Sequence, residues 1–172
     1  LRPKLFSGKK IVGMIFFMWL SGFGYSQSEK PLTLRETPME NGDVRLELQD
    51  PGFEEEWVFW KRPKEDGGMS ERQADASRSG KYGLRVLDQD DRRGSWAVSA
   101  RFLVQSDAAY KFFVWGRVTS GGGLGVYFRC YDAEGKLLNE GVVAGGLKDR
   151  KEWTRNEYVT LTPPGTVSAD IC

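Results

Sequence analysis

Histidine is absent from the 172 residues, and only two of them are cysteine. Without imidazole the chain has neither the usual general base near neutral pH nor the commonest metal ligand, which excludes zinc sites and His-based triads within it. Two cysteines do not make a disulfide framework. Cys130 lies on the apolar side of an alternating run and reads as a small buried side chain, while Cys172 is the last residue. An excess of one charge is missing as well, since 25 Lys and Arg stand against 24 Asp and Glu. With no basic excess to meet a phosphate backbone, nucleic acid is not expected as a partner. No stretch carries a sustained helical stripe.

What the chain does have is 13% aromatic residues and 21 glycines. Short alternating runs separated by turn residues imply an all-β domain, and the length allows one ordinary domain with appendages. Residues 1–26 stand apart. Arg2, Lys4, Lys9 and Lys10 precede the apolar run 11–20, and small residues follow at Ser21, Gly22, Gly24 and Ser26. This is the layout of a secretory signal peptide, with cleavage expected near Ser26 and no stable membrane insertion afterwards; an uncleaved anchor is the alternative. The exported part would be weakly acidic and either secreted, periplasmic or held at the cell surface.

Residues 27–43 are polar, with Pro31 and Pro38, and read as an exposed leader; the domain proper is expected over 44–172. Val44 to Leu48 alternates as a strand, and Trp57 to Trp60 is a dense aromatic one. Residues 61–80 read as a long charged loop. Further strands are expected over 81–87, 96–104, 110–118, 126–131 and 153–161, with one more beginning at Thr166.

Two of these runs carry the main functional signal. In the first, Tyr110, Phe112, Val114 and Val118 share one face, opposite Lys111, Phe113, Trp115 and Arg117. In the second, Val126, Phe128 and Cys130 oppose Tyr127, Arg129 and Tyr131. Flat rings beside guanidinium forks suit a polar ligand with apolar patches, such as a sugar. A shared binding face requires both strands in one sheet; a crossing at 121–125 would divide it into two half-sites.

Several phrases occur in a telling order: Pro51-Gly52-Phe53-Glu54, Ser79-Gly80-Lys81-Tyr82-Gly83-Leu84-Arg85-Val86, the strand 110–118, Tyr131-Asp132-Ala133-Glu134-Gly135-Lys136, Trp153-Thr154 and Pro164-Gly165-Thr166. Together they resemble the galactose-binding-like jelly-roll carbohydrate-binding modules found beside xylanases and other glycoside hydrolases. The resemblance covers roughly 44–172. It implies a two-sheet antiparallel jelly-roll sandwich, here lacking the usual C-terminal strand with its Asp-Asp-Val-type motif, as in a fragment of a larger secreted enzyme. It also implies a non-catalytic role, a polysaccharide or oligosaccharide ligand and a catalytic domain in the same polypeptide. A structural Ca²⁺ is implied too, with Glu54 as carboxylate donor and a second carboxylate in the final strand.

The candidate sugar contacts are Trp115, Tyr127, Arg117, Arg129, Trp60 and Trp96. Trp115 leads, because an indole between charged neighbours on an outward face has few other uses. Tyr127 offers a ring and a hydroxyl; Arg117 and Arg129 offer forks for hydroxyls, uronates or sulfates. Tyr131, Trp57 and Trp153 read as structural. The run Glu54-Glu55-Glu56 does not read as a hydrolytic carboxylate pair, since adjacent strand residues face opposite ways. Gly121 to Gly125 lacks the following helix and lysine of a phosphate loop. The rival reading is a protein-interaction or adhesion β-sandwich packed against a neighbouring domain.

Overall fold

The computed structural model describes residues 30–89, 94–121, 123–139, 143–147 and 151–172; the expected signal segment, 1–26, lies outside them. The fold is all-β, with antiparallel sheets packed as a β-sandwich. No α-helix occurs among the described residues, and none of their helices is long and apolar enough to cross a membrane.

Twelve strands occur among the described residues. They are β1 (Arg35–Pro38), β2 (Val44–Glu47), β3 (Trp60–Lys61), β4 (Ser70–Gln73), β5 (Gly83–Val86), β6 (Val98–Ser99), β7 (Phe102–Leu103), β8 (Ala109–Gly116), β9 (Leu124–Tyr131), β10 (Val143–Leu147), β11 (Thr154–Leu161) and β12 (Ser168–Ile171). One sheet runs in the order β10-β9-β12-β7, and a second consists of β11 and β8. The pairs β1-β2, β3-β6 and β4-β5 complete the molecule.

The core forms where alternating apolar faces of the two main sheets meet. From β9, Val126, Phe128 and Cys130 are buried, as their period-two spacing predicts. From β8, Tyr110 and Phe112 bring their rings to 5.7 and 5.8 Å from that of Phe128, and Phe112 lies 5.4 Å from Tyr158 of β11. These separations are those of favourable aromatic pairs, each worth about 1 kcal/mol beyond the area it buries. Gly116 ends β8 without a side chain because Leu147 of β10 fills the space, one of its methyl carbons standing 2.3 Å from where a Cβ would be.

Several elements depart from the sequence reading. The leader is partly structural, since Arg35–Pro38 pairs with β2 and Leu34 is buried in the core. Leu32 also bridges Phe102 in parallel at the sheet edge. The charged stretch 61–80 holds a 3-10 turn, Lys64–Asp66, and the strand β4. Its organiser is Asp66, fully buried, which accepts hydrogen bonds from the Ser70 amide and hydroxyl at 2.7 Å, the Ser95 hydroxyl at 2.8 Å and the Trp96 amide at 2.9 Å. The aromatic run 57–60 is a strand only at its last residue.

The chain's final segment is a central strand. β12 lies between β9 and β7, so Ala169 and Ile171 complete the core while Asp170 sits beside Arg129. This is the strand expected to begin at Thr166, and it runs over Ser168–Ile171.

Candidate functional site

β8 and β9 belong to different sheets whose inner faces meet, so their outer faces lie on opposite sides of the sandwich. The shared platform expected of Trp115, Arg117, Tyr127 and Arg129 is therefore divided. The chain crosses between sheets at the glycine-bearing connection, as the alternative reading required.

On the β9 side, the polar face is closed by its own pairs. Arg129 makes a two-pronged ion pair with Asp170, Nε to Oδ1 at 2.6 Å and Nη2 to Oδ2 at 2.8 Å, and the Tyr131 hydroxyl donates to the same carboxylate at 2.9 Å. The register places Arg129 directly opposite Asp170. Burial works against the charged guanidinium, but the Asp170 bonds outweigh it and raise the Arg129 pKa. Burial, then the neighbouring carboxylate, pushes the Tyr131 phenol up. Arg101 stacks over the Tyr131 ring at 3.6 Å. Arg129 thus serves the fold here, and the structural reading of Tyr131 accords with its place. Tyr127 is half-buried, its ring lying where a side chain on Gly125 would stand.

On the β8 side, the face is open. Phe113 is 53% and Trp115 38% exposed. Across the ladder, Arg155 pairs in register with Trp115 and Glu157 with Phe113. The Arg155 guanidinium lies 4.2 Å from the centre of the Phe113 ring, and that of Arg78, from the loop before β5, lies 3.5 Å from the centre of the Trp115 ring. Arg117 lies 5.2 Å from the Trp153 ring and donates to the Asp75 carbonyl at 2.8 Å. Glu157 takes Lys111 at 2.7 Å and Arg155 at 3.1 Å, and the Lys111 bond leads in holding its carboxyl below the usual value. The result is an exposed ladder of rings interleaved with cations. No family model matches the chain, and no curated protein is similar to it.

The remaining candidates lie elsewhere. Trp60 packs against Phe53 and Phe59, with centroids 4.7 and 5.7 Å away, and its indole N–H donates to the Asp50 carbonyl at 2.9 Å. Trp96 is half-buried beside Asp66, to which its amide donates. A depression of about 360 Å³ is lined by Glu56, Trp57, Arg62, Glu71 and Arg72. Its arginines are already engaged, Arg72 with the Phe53 and Glu54 carbonyls and Arg62 with that of Ser70.

Glu54 ties two loops together. Its carboxylate accepts the Lys81 amide at 3.0 and 3.2 Å and the Tyr82 amide at 3.4 Å, directly over Gly80, whose φ of +79° and missing Cβ allow that approach. Calcium takes six to eight oxygen ligands, whereas amide donors surround this carboxylate. No group of three His, Cys, Asp or Glu suited to a metal occurs among the described residues.

Sequence reasoning placed Phe113 on the outer face without counting it among the sugar contacts, and it missed Arg78 and Arg155. Arg155 was reachable from the period-two spacing of its strand; Arg78, in a loop, gave no signal.

Proposed function

We propose that this chain is a non-catalytic polysaccharide-binding β-sandwich module of an exported protein, working beside a glycoside hydrolase or lyase domain of the same polypeptide. The observation that carries the reading is the outward pair Trp115 and Phe113, large rings left in water on a sheet face and flanked by planar cations. Such rings offer apolar surface to the C–H groups of a sugar, and the guanidinium groups lying over them offer donors to its hydroxyls. Export is supported by the charged, apolar and small-residue order of 1–26. The crossing from β8 to β9 and the central β12 are compatible with the jelly-roll arrangement that the sequence phrases resemble.

The module itself breaks no bonds. Its work is to hold an attached enzyme at high effective concentration on an insoluble or polymeric substrate. Tryptophan anchors commonly dominate a binding surface, so Trp115→Ala should weaken retention in a polysaccharide gel at least about tenfold, near 1.4 kcal/mol. Unchanged migration of this variant would remove the platform.

A second reading has its own observation. Val159 and Leu161 are 68% and 69% exposed on the β11 end of the same face, opposite Lys111 and Ala109. A protein-interaction or adhesion domain would cover them with a neighbouring domain. A glycan screen without a hit, together with a stable complex with such a domain, would favour it.

A further inference from the structure

We infer that the outer face of β8 and β11 selects anionic polysaccharides, those bearing carboxylate or sulfate groups, over neutral ones; this rests on the carbohydrate-binding reading above. Four cations, Arg78, Lys111, Arg117 and Arg155, stand on or beside this face. Glu157 is the carboxylate among them, and Lys111 and Arg155 share it. Arg78 and Arg117 have no carboxylate partner among the described residues; their contacts are the Trp115 and Trp153 rings and the Asp75 carbonyl. In these contacts four cations meet one carboxylate, Glu157, while the exposed carboxylates of Asp75 and Glu152 neighbour the Arg117 end of the face without an ion pair to it.

The stacking geometry decides how that charge is used. A guanidinium lying over a ring spends its flat face on the π-system and leaves its N–H edge free. That edge is the part that forks onto a carboxylate or sulfate. Arg78 occupies one face of the Trp115 indole. A neutral sugar seeking that face must displace it, whereas an acidic sugar meets the guanidinium edge and keeps the stack intact. Phe113 and Trp115 lie two residues apart on β8, and Arg117 follows just past its end; at the strand rise the three span about 14 Å, so the contacts repeat along a polymer instead of enclosing one small acid.

The test is affinity electrophoresis of the full chain in gels containing polygalacturonate, a sulfated galactan, neutral xylan or polyglutamate. Retention should be at least tenfold stronger in one or both anionic glycans than in xylan. It should fall as salt rises from about 50 to about 500 mM, because exposed charges are screened over that range. Polygalacturonate alone would assign a carboxylate, the galactan alone a sulfate. Arg78→Ala and Arg155→Ala should each lose about tenfold, and Arg78→Lys should lose most of it too, since lysine keeps the charge without the planar fork. Equal retention in xylan that depends on Trp115 but on neither arginine would overturn the anionic selectivity and leave the carbohydrate reading standing. No retention in any glycan would overturn both. Retention in polyglutamate equal to that in the glycans would mean plain ion exchange and would overturn the selectivity as well.

Discussion

Asp66 shows how one carboxylate organises a stretch that its sequence leaves as loop. Burial alone would raise its pKa, but the bonds from Ser70, Ser95 and Trp96 outweigh that effect and lower it below the ordinary 3.8. A depressed carboxyl contributes stability that is fully present above its unfolded pKa and is lost as pH falls through the lower folded value. Asp66→Asn places an amide NH₂ where one oxygen accepted, so a donor faces a donor. Hydrogen bonds to a charged group contribute about 1.5–3 kcal/mol, and the variant should lose about 2 kcal/mol at neutral pH. Urea midpoints measured from pH 7 downward should stay a constant distance apart until about pH 5 and converge below about pH 4. Parallel curves down to pH 2 would show that Asp66 carries none of the acid sensitivity. The role was hidden in the sequence because two of the four donors to Asp66, the Ser95 hydroxyl and the Trp96 amide, come from some thirty residues away.

At the scale of elements, alternation was readable and sheet membership was not. The spacing of Val126, Phe128 and Cys130 fixes which way each side chain of β9 points, because period two is a property of the strand itself. Which strand lies beside it is decided by packing, and the connection at 121–125 gives no sign of direction. Hence the faces of β8 and β9 were read correctly one by one, while their sharing of a surface was not. β10 escaped the sequence reading for a related reason. Val143-Ala144-Gly145-Gly146-Leu147 has little intrinsic strand preference and is a strand because it pairs with β9. The same packing makes a prediction at Gly116. A methyl there would meet Leu147 at 2.3 Å, so Gly116→Ala should cost about 1–3 kcal/mol by overpacking. Leu147→Ala should cost about 2–5 kcal/mol through its cavity. Made together, the two should cost less than their sum, because the new methyl occupies part of the space that leucine vacates. Additive denaturation energies would argue against direct contact between β8 and β10.

Across the whole molecule, the sandwich separates a face closed by its own ion pair from a face that carries exposed rings. Asp170 is almost fully buried and its partner Arg129 about one quarter exposed, so Asp170→Asn leaves a mostly desolvated guanidinium without its counter-charge and turns one acceptor oxygen into a donor facing Arg129 or Tyr131. Breaking such a pair costs about 3–5 kcal/mol when both partners are buried, and the partial exposure of Arg129 brings the expectation to about 2–3 kcal/mol. Trp115→Ala lies on the opposite side, removes a side chain 38% exposed, and should cost about 1–3 kcal/mol. With no shared partner between them, the two changes should add in stability to within about 0.5 kcal/mol. Their effects on a glycan gel should differ in kind. Well below its melting temperature Asp170→Asn should migrate as the parent does, while Trp115→Ala should lose retention without losing fold. If Asp170→Asn weakened retention at a temperature where its denaturation curve still shows a native baseline, the β9 face would belong to the binding surface. Two sites on opposite sides of the sandwich would then have to replace one.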